Sequence, residues 1–526
     1  KQFYVGANDG MLHAFDENLN ERWAFIPPSV LNKLRDMMGT TGSFAGNGRS
    51  NSAYNVDGPI TVKDVYIEAE KKWKTILMGG LGYGGKSYYV LDITDPDKPQ
   101  HLFTFNHDLT RKLVEFWRAD GTKMTWNYSC FNPNWWACPG GNAPISSATP
   151  GTRSPGNYDY AYLGDAWSKP IITLFPLKRW RPSIKQSWVA VFGAGYGNGD
   201  AVFTPGSSTD YGRYIYVVDL EPDLITDSDR PYATPNGGAT VGKISVAGDT
   251  SSNVPFGVAS PLTAISSDGT SLANYYGSLV YFNDLQGQLW KLNLSKKSLD
   301  DADDIYQLNR LFKTESTLAK DRQGFNQLAS TVVSSNQVFH YFGTGDQVHP
   351  QLRDVSNNNR IYGIRDLDFP TYLTTKSGDL SVTLNPSLIK NVDGLKDNTT
   401  DLTACSSSDW YTNAYSRTTL GPATSDYSKV IGRGRLYNGS ISFSVYRPED
   451  ASCPIYGSSQ LIEINSNTCG SVVKNVATGL AVTPISDNKG NTYVGVSNLK
   501  PGTIVASGKD NIFKTTSVTS SISQKI

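Results

Sequence analysis

Apolar and polar positions alternate along most of this chain in short runs, and the runs come in pairs. Phe3-Tyr4-Val5-Gly6 and Met11-Leu12-His13-Ala14-Phe15-Asp16, joined through Asn8-Asp9-Gly10, form the tightest pair: period-2 alternation on both sides of a hairpin turn. The unit returns as Thr75–Gly80 with Tyr88–Asp92, Trp188–Gly193 with Tyr214–Asp219, Leu279–Asp284 with Gly287–Asn293, and Val338–Gly343 with Arg360–Asp366. Two weaker copies, Ile441–Val445 with Gln460–Asn465 and Thr503–Gly508 with Asn511–Lys514, close the series. Seven copies in 526 residues leave about 75 residues per unit, more than the ~40–50 of compact propeller repeats, so the excess belongs to loops.

One hairpin cannot bury its apolar face alone, whereas four-stranded blades stacked in a ring do so and leave only short edges. The pattern therefore predicts an all-β, seven-bladed β-propeller of the quinoprotein-like type, a single domain over 1–526. It carries long insertions at about 106–162, aromatic and disulfide-pinned, and at about 371–430, polar. A row of β-sandwiches is the competing arrangement. The first strand is expected to complete the last blade, and the start at Lys1, without Met and inside a strand, reads as the excised end of a longer polypeptide.

Composition agrees with strands and turns: Gly 49, Tyr 29, Phe 20 and Trp 11 against Met 5. Lys+Arg and Asp+Glu both number 48, so no global field favours nucleic acid or an anionic membrane surface. No apolar run reaches the ~18 residues of a membrane span, and the N-terminus lacks the regions of a secretion signal. Neither nucleic-acid binding nor direct membrane insertion by this domain is expected.

Of five cysteines, Cys130 and Cys138 bracket a short Pro/Trp loop, Cys453 and Cys469 flank one hairpin, and Cys405 is left over. That spacing predicts two local disulfides in an oxidising compartment, with buried reduced thiols as the alternative. The absence of Cys-x-x-Cys and the scatter of the five His argue against zinc.

Beyond the repeat, the opening Tyr4-Val5-Gly6-Ala7-Asn8-Asp9-Gly10-Met11-Leu12-His13-Ala14-Phe15-Asp16, followed by Trp23-Ala24-Phe25-Ile26-Pro27-Pro28-Ser29-Val30-Leu31, resembles the start of the C-terminal propeller of PilC/PilY proteins of type IV pili. Asp57-Gly58-Pro59-Ile60, Gly79-Gly80-Leu81-Gly82, Tyr89–Pro96, Leu163–Pro170, Phe192-Gly193-Ala194-Gly195-Tyr196 and Gly287–Asn293 resemble successive family landmarks in preserved order. The resemblance implies a secreted factor at the pilus tip and outer membrane. It would act in pilus assembly, in opposing retraction, in twitching motility and in host-cell adherence, with pilins, minor pilins and a host-cell receptor as partners. It implies no enzymatic activity.

The family can carry an EF-hand-like calcium loop, and the corresponding stretch here runs from Ala264 to Asn274. Ca²⁺ wants about six to eight oxygens. Asp268 is the loop's one carboxylate, with Ser266 and Thr270 as hydroxyl donors, so the loop reads as degenerate and weak. Asp300, Asp301, Asp303 and Asp304 lack ligand spacing, and Asp393, Asp397 and Asp401 fit a surface loop.

Trp117, Trp126, Trp135 and Trp136 place four of the eleven tryptophans within twenty residues of the first insertion, joined by Tyr128, Phe131, Tyr158 and Tyr160. So aromatic a segment forms either a satellite core or a binding face, the latter centred on Trp126, Trp135 and Trp136. The glycine strings 79–85 and 193–199 lack the Gly-Lys-Ser/Thr ending of a phosphate loop and read as tight turns with positive φ. No nucleophile elbow or metalloprotease helix occurs. A quinoprotein dehydrogenase using pyrroloquinoline quinone is the enzymatic alternative. The chain lacks the vicinal cysteines found in many such enzymes, and no quinone is expected.

Overall fold

The computed structural model describes residues 1–37, 54–67, 70–127, 158–175, 187–197, 211–221, 237–246, 257–266, 278–294, 307–314, 322–332, 338–350, 359–366, 390–391, 395–397, 409–413, 428–437, 439–448, 458–465, 471–478, 480–481, 485–486, 492–497, 503–507 and 513–516. Among them, strands dominate and the one α-helix is α1 (Leu31–Met37).

The strands form seven sheets in chain order. The first holds β1 (Gln2–Gly6), β2 (Leu12–Asp16) and β3 (Glu21–Phe25); the second runs β4 (Ile60–Ile67), β5 (Lys72–Gly80), β6 (Ser87–Asp92), β7 (Gln100–Asp108), β8 (Leu113–Arg118) and β9 (Lys123–Asn127). The third is β10 (Ile171–Phe175), β11 (Ser187–Gly193), β12 (Tyr214–Asp219) and β13 (Thr240–Ser245). In the fourth, β14 (Thr263–Ser266), β15 (Ser278–Asn283), β16 (Leu289–Asn293) and β17 (Gln307–Lys313) are followed by β21 (Lys390–Asn391). The fifth takes β18 (Ala329–Val332), β19 (Val338–Gly343), β20 (Arg360–Asp366), β23 (Trp410–Asn413) and β22 (Lys396–Asp397). The sixth is β24 (Lys429–Tyr437), β25 (Ser440–Arg447), β26 (Ser458–Asn465) and β27 (Ser471–Thr478). The seventh comprises β28 (Leu480–Ala481), β30 (Thr492–Ser497), β31 (Thr503–Ser507) and β32 (Phe513–Thr516), with β29 (Ile485–Ser486) beside β30.

All seven repeat hairpins are present: β1–β2, β5–β6, β11–β12, β15–β16, β19–β20, β25–β26 and β31–β32. The register follows the alternation, as in β1–β2, where Phe3 faces Phe15 and Tyr4 faces Ala14. The first strand differs from expectation: β1 pairs with β2 and forms an edge of its own sheet.

Two compact units divide the chain. One comprises Lys1–Val280, Leu292–Leu308 and Lys376–Thr383; the other comprises Tyr281–Lys291, Asn309–Thr375 and Leu384–Ile526. In the first, Tyr88, Phe105, Phe116, Phe192 and Tyr216 belong to one buried cluster between the second and third sheets. In the second, Phe339, Tyr341, Val430 and Phe443 belong to another. Each such ring contributes about 1.5–3 kcal/mol on burial, more than a typical net hydrogen bond, so the apolar faces set how the sheets stack.

Glycine sets how closely they cross. A Cβ on Gly80, at the end of β5, would sit 2.6 Å from the Ala166 carbonyl oxygen, and one on Gly193, at the end of β11, 2.6 Å from Val258 Cγ1. Backbone bonds cross at the same places, from Gly82 N–H to Ala166 O at 3.2 Å and from Gly195 N–H to Val258 O at 3.0 Å. Gly343, at the end of β19, meets Val430 in the same way. The glycine strings are therefore only partly the positive-φ turns expected. Gly82, Gly85 and Gly195 have positive φ, but Gly80 and Gly193 do not and are glycine because a neighbouring chain passes over them.

The polar insertion also acquires a structural role. Its two short strands extend sheet edges in parallel fashion, β21 against Phe312–Lys313 of β17 and β22 against Trp410–Tyr411 of β23. Covered edges are poor templates for unwanted pairing.

Candidate functional site

The aromatic insertion leaves the second sheet and returns beside the third, and both legs are fixed. On the outgoing side its first residues are not loop: β7, β8 and β9 widen the sheet to six strands. Glu115, buried on β8, accepts from Arg111 Nη2 at 3.0 Å, from Lys123 Nζ at 2.6 Å and, through its other oxygen, from Asn106 Nδ2 at 3.0 Å. Lys123 also lies 5.0 Å from the Trp117 ring centroid. Glu115 thus ties the three strands together.

On the returning side, the Tyr160 ring lies 3.9 Å from that of Phe105, and its hydroxyl donates to Gly238 O at 2.7 Å. Tyr158 packs on Phe116 at 4.3 Å. Between them, Asp159 accepts from Lys243 of β13 at 2.5 Å, while that ammonium faces the Tyr162 ring at 4.1 Å and the Tyr214 ring at 5.2 Å. His107 donates from Nδ1 to Leu163 O at 2.6 Å, and burial pushes its pKa down to about 4, leaving it a neutral fixed donor at physiological pH.

Tyr158 and Tyr160 therefore belong to the main core and not to a satellite, because Phe105 and Phe116 offer them a larger apolar surface than a loop could build for itself. Trp126 has its backbone in β9 opposite Val114. Its side chain, with Trp135, Trp136, Cys130 and Cys138, lies outside the described residues, as do Cys405, Cys453 and Cys469. Ser266 ends β14, and Asp268 and Thr270 lie outside the described residues. Among the described residues no group of three His, Cys, Asp or Glu side chains is placed to hold a metal ion, and no helix is long and apolar enough to cross a membrane.

Polar clusters that the alternation did not reveal lie in the second unit. Ser330 Oγ is 2.8 Å from His340 Nδ1, the His340 ring packs on Tyr281 at 4.1 Å, and Tyr281 donates its hydroxyl to Asp366 at 2.6 Å. Lys291 Nζ sits 2.6 Å from the same Asp366 oxygen, and both side chains are 0% exposed. Burial pushes the Asp366 carboxyl up, but the Lys291 ammonium and the hydrogen bonds from Lys291 and Tyr281 outweigh it and hold it below the usual carboxylate range. His340 and Asp366 are buried and Ser330 is half-buried, and the cluster cross-links neighbouring strands. A second buried carboxylate, Asp284, accepts from Gln286 N–H, Gln288 N–H and Trp290 Nε1 at 2.9, 2.9 and 2.7 Å. Burial pushes its pKa up to about 7 against those donors. It closes the β15–β16 turn, where Gly287 has φ +71°. The Asn-Asp-x-x-Gly spelling, akin to Asn8-Asp9-Gly10, was the available signal for that turn.

Residues 1–115 match the PilY1 β-propeller domain family. A type IV pilus biogenesis factor PilY1 homolog from Xylella fastidiosa is 27% identical over 378 residues, 70% of this chain and 20% of the relative. The type IV pilus biogenesis factor PilY1 of Pseudomonas aeruginosa PAO1 is 28% identical over 307 residues, 58% of this chain and 18% of the relative. The chain thus spans about a fifth of the length of the curated relatives it matches. The crystal structure of the Pseudomonas aeruginosa PilY1 C-terminal domain superposes with a TM-score of 0.55 at 19% identity, covering 94% of this chain and 90% of that one. The chain therefore shares the propeller-like fold of that domain, and over residues 1–115 it is similar to the PilY1 β-propeller domain family.

Proposed function

We propose that this chain is the propeller portion of a type IV pilus biogenesis factor and adhesin, and that it works as a rigid platform without catalysis of its own. The observation that carries the reading is the 378-residue similarity to a type IV pilus biogenesis factor. Physically, a platform needs loops that leave and re-enter a stiff base. The aromatic insertion has such a base in the Glu115 cluster on one side and in Tyr158, Asp159 and Tyr160 on the other. In this reading Trp126, Trp135 and Trp136 face a partner, either pilins and minor pilins or a host-cell receptor. Rigid aromatic side chains lose little entropy when they bind.

The proposal places the protein outside the cell, at the pilus tip and outer membrane, supporting assembly, opposing retraction and serving twitching motility and adherence. Weak calcium binding by Asp268, with Ser266 and Thr270, belongs to it. One carboxylate and two hydroxyls suit the ~10⁻⁴–10⁻³ M range of extracellular modules, not a tight site.

In-frame deletion of the coding region from a piliated bacterium is the direct test. Loss of surface pili, motility or adherence is expected; wild-type values for all three would overturn the proposal.

A further inference from the structure

Tyr83 and Tyr196 occupy the same position in two copies of one short motif, Gly80-Leu81-Gly82-Tyr83-Gly84 and Gly193-Ala194-Gly195-Tyr196-Gly197, on the loops after β5 and β11. The flanking glycines are dictated by crowding. A Cβ on Gly82 would meet the Asp57 backbone at 2.8 Å, and Cβ atoms on Gly84 and Gly195 would run into the carbonyl oxygens of Asn55 and Asp165. Leu81 and Ala194 are buried, at 1% and 0% exposure, so they anchor the loops and each tyrosine is the side chain left partly exposed.

Two further rings complete a row. Tyr54, 57% exposed, is 5.0 Å from Tyr83; Trp167 is 4.4 Å from Tyr83 and 6.2 Å from Tyr196. Four aromatic rings from four separate segments of the first unit therefore follow one another in the order Tyr54, Tyr83, Trp167, Tyr196. Polar groups adjoin them. Lys86, at the end of the first loop, pairs with Asp165 at 2.8 Å, both side chains being about one-fifth exposed, at 18% and 21%. Asp165 is itself bridged to Tyr196 through the backbone, and Lys33 of α1 donates to Gly84 O.

We propose that this row is a binding site for a neutral saccharide. A pyranose has apolar C–H faces and a rim of hydroxyls. It is matched by partly exposed Tyr and Trp rings, which are apolar in body and polar at the tip, beside groups that donate and accept hydrogen bonds. Lys86 and Asp165 neutralise each other, and the half-buried Lys33 commits a donor to the Gly84 carbonyl, so the ring faces and not an unpaired acidic or basic cluster dominate the site. The inference does not depend on the pilus role, since it is read from binding in solution.

Isothermal titration of the full chain with maltohexaose, cellohexaose and N-acetylchitohexaose, and with a proline decapeptide as the competing occupant, tests it. Saturable binding of at least one saccharide is expected. Trp167→Ala and Tyr83→Ala should each weaken it about threefold to tenfold, Tyr83→Phe should retain it, and Trp73→Ala, on another surface, should leave it unchanged. Tyr196→Leu keeps apolar volume without an aromatic face, and it should also weaken binding if the alanine variants fail to fold. Saturation-transfer NMR on the unmodified chain should show contact from aromatic protons to sugar C–H groups. No saccharide bound at millimolar concentration, binding indifferent to the ring variants, or the proline peptide bound instead would each overturn the assignment.

Discussion

Tyr160 lies flat against Phe105, with ring centroids 3.9 Å apart and planes 5° from parallel, although the two residues are separated by the whole aromatic insertion. The contact does two jobs, since stacking buries both rings and the hydroxyl reaches Gly238 O, two residues before β13 of the third sheet. Tyr160→Ala should cost about 3–5 kcal/mol, as large core truncations do. Tyr160→Phe should cost only about 1–3 kcal/mol, because it leaves one buried carbonyl unpartnered. Denaturant midpoints for the two variants check the order. Equal losses would mean that the hydrogen bond, and not the stacked ring, secures the returning leg.

Gly193 and Gly121 separate two reasons for glycine. At Gly193 a new Cβ has Val258 Cγ1 at 2.6 Å and the Val258 carbonyl closer still, whereas Gly121 has φ +83° and nothing within 4 Å. Gly193→Ala should therefore destabilise by about 1–3 kcal/mol or more through overpacking against backbone. Gly121→Ala should cost about 1–2 kcal/mol through its left-handed conformation alone. Hydrogen exchange distinguishes them further: Gly193→Ala should expose amides at the Gly195–Val258 crossing, and Gly121→Ala should loosen only the β8–β9 turn.

The hairpins were legible because a half-buried strand writes its burial with period 2 and its turns in Gly, Asn and Asp. What that code could not carry is visible in β16, where Leu289, Trp290, Lys291, Leu292 and Asn293 are all buried. Alternation marks one face for water, yet both faces of this strand are covered, and Lys291 is kept in place by a carboxylate 75 residues away in sequence. The destination of Tyr158 and Tyr160 was hidden for the same reason, since their partners Phe105 and Phe116 lie across the insertion. Two-residue strands such as β21 and β22 are shorter than any periodic signal. The resemblance at the first 31 residues was readable because it rests on local spelling, whereas the Asp268 loop could be read only as a set of donor atoms.

His107 should make stability depend on pH between about 4 and 6.5. Burial lowers its folded pKa to about 4 from an ordinary 6.5, so within that window the unfolded chain binds a proton that the folded chain does not. Its contribution is complete above the unfolded value and lost as pH falls through the folded one, about 3 kcal/mol in all. His107→Gln should flatten this part of the profile. The measurement is the difference in urea midpoint between pH 7 and pH 5 for both proteins, and an identical difference in the two would remove His107 from the account.

Calcium is tested most simply at Asp268. Calorimetry of the full chain should show weak heat at millimolar Ca²⁺ that disappears in Asp268→Ala and after chelation, because that residue supplies the loop's one carboxylate. Silence in the unmodified protein, or heat unchanged by the substitution, would take the metal out of the proposed function.

The Lys291–Asp366 pair allows a test of whether charge or volume matters in the second unit. Both side chains are fully buried, with Tyr281 donating to the same carboxylate oxygen. Lys291→Met removes the cation and strands a carboxylate where water cannot reach it, which should cost about 3–5 kcal/mol. Adding Asp366→Asn removes the stranded charge while leaving an oxygen for the Tyr281 hydroxyl, so the double variant should recover most of that loss. The pH dependence should change with it. Asp366 in the native pair lies below its ordinary value and contributes stability that disappears as pH falls through its folded pKa. The double variant should lack this acid-labile component. A double variant no more stable than Lys291→Met would show that the lysine's methylene packing, and not the neutralisation of Asp366, holds β16 against β20.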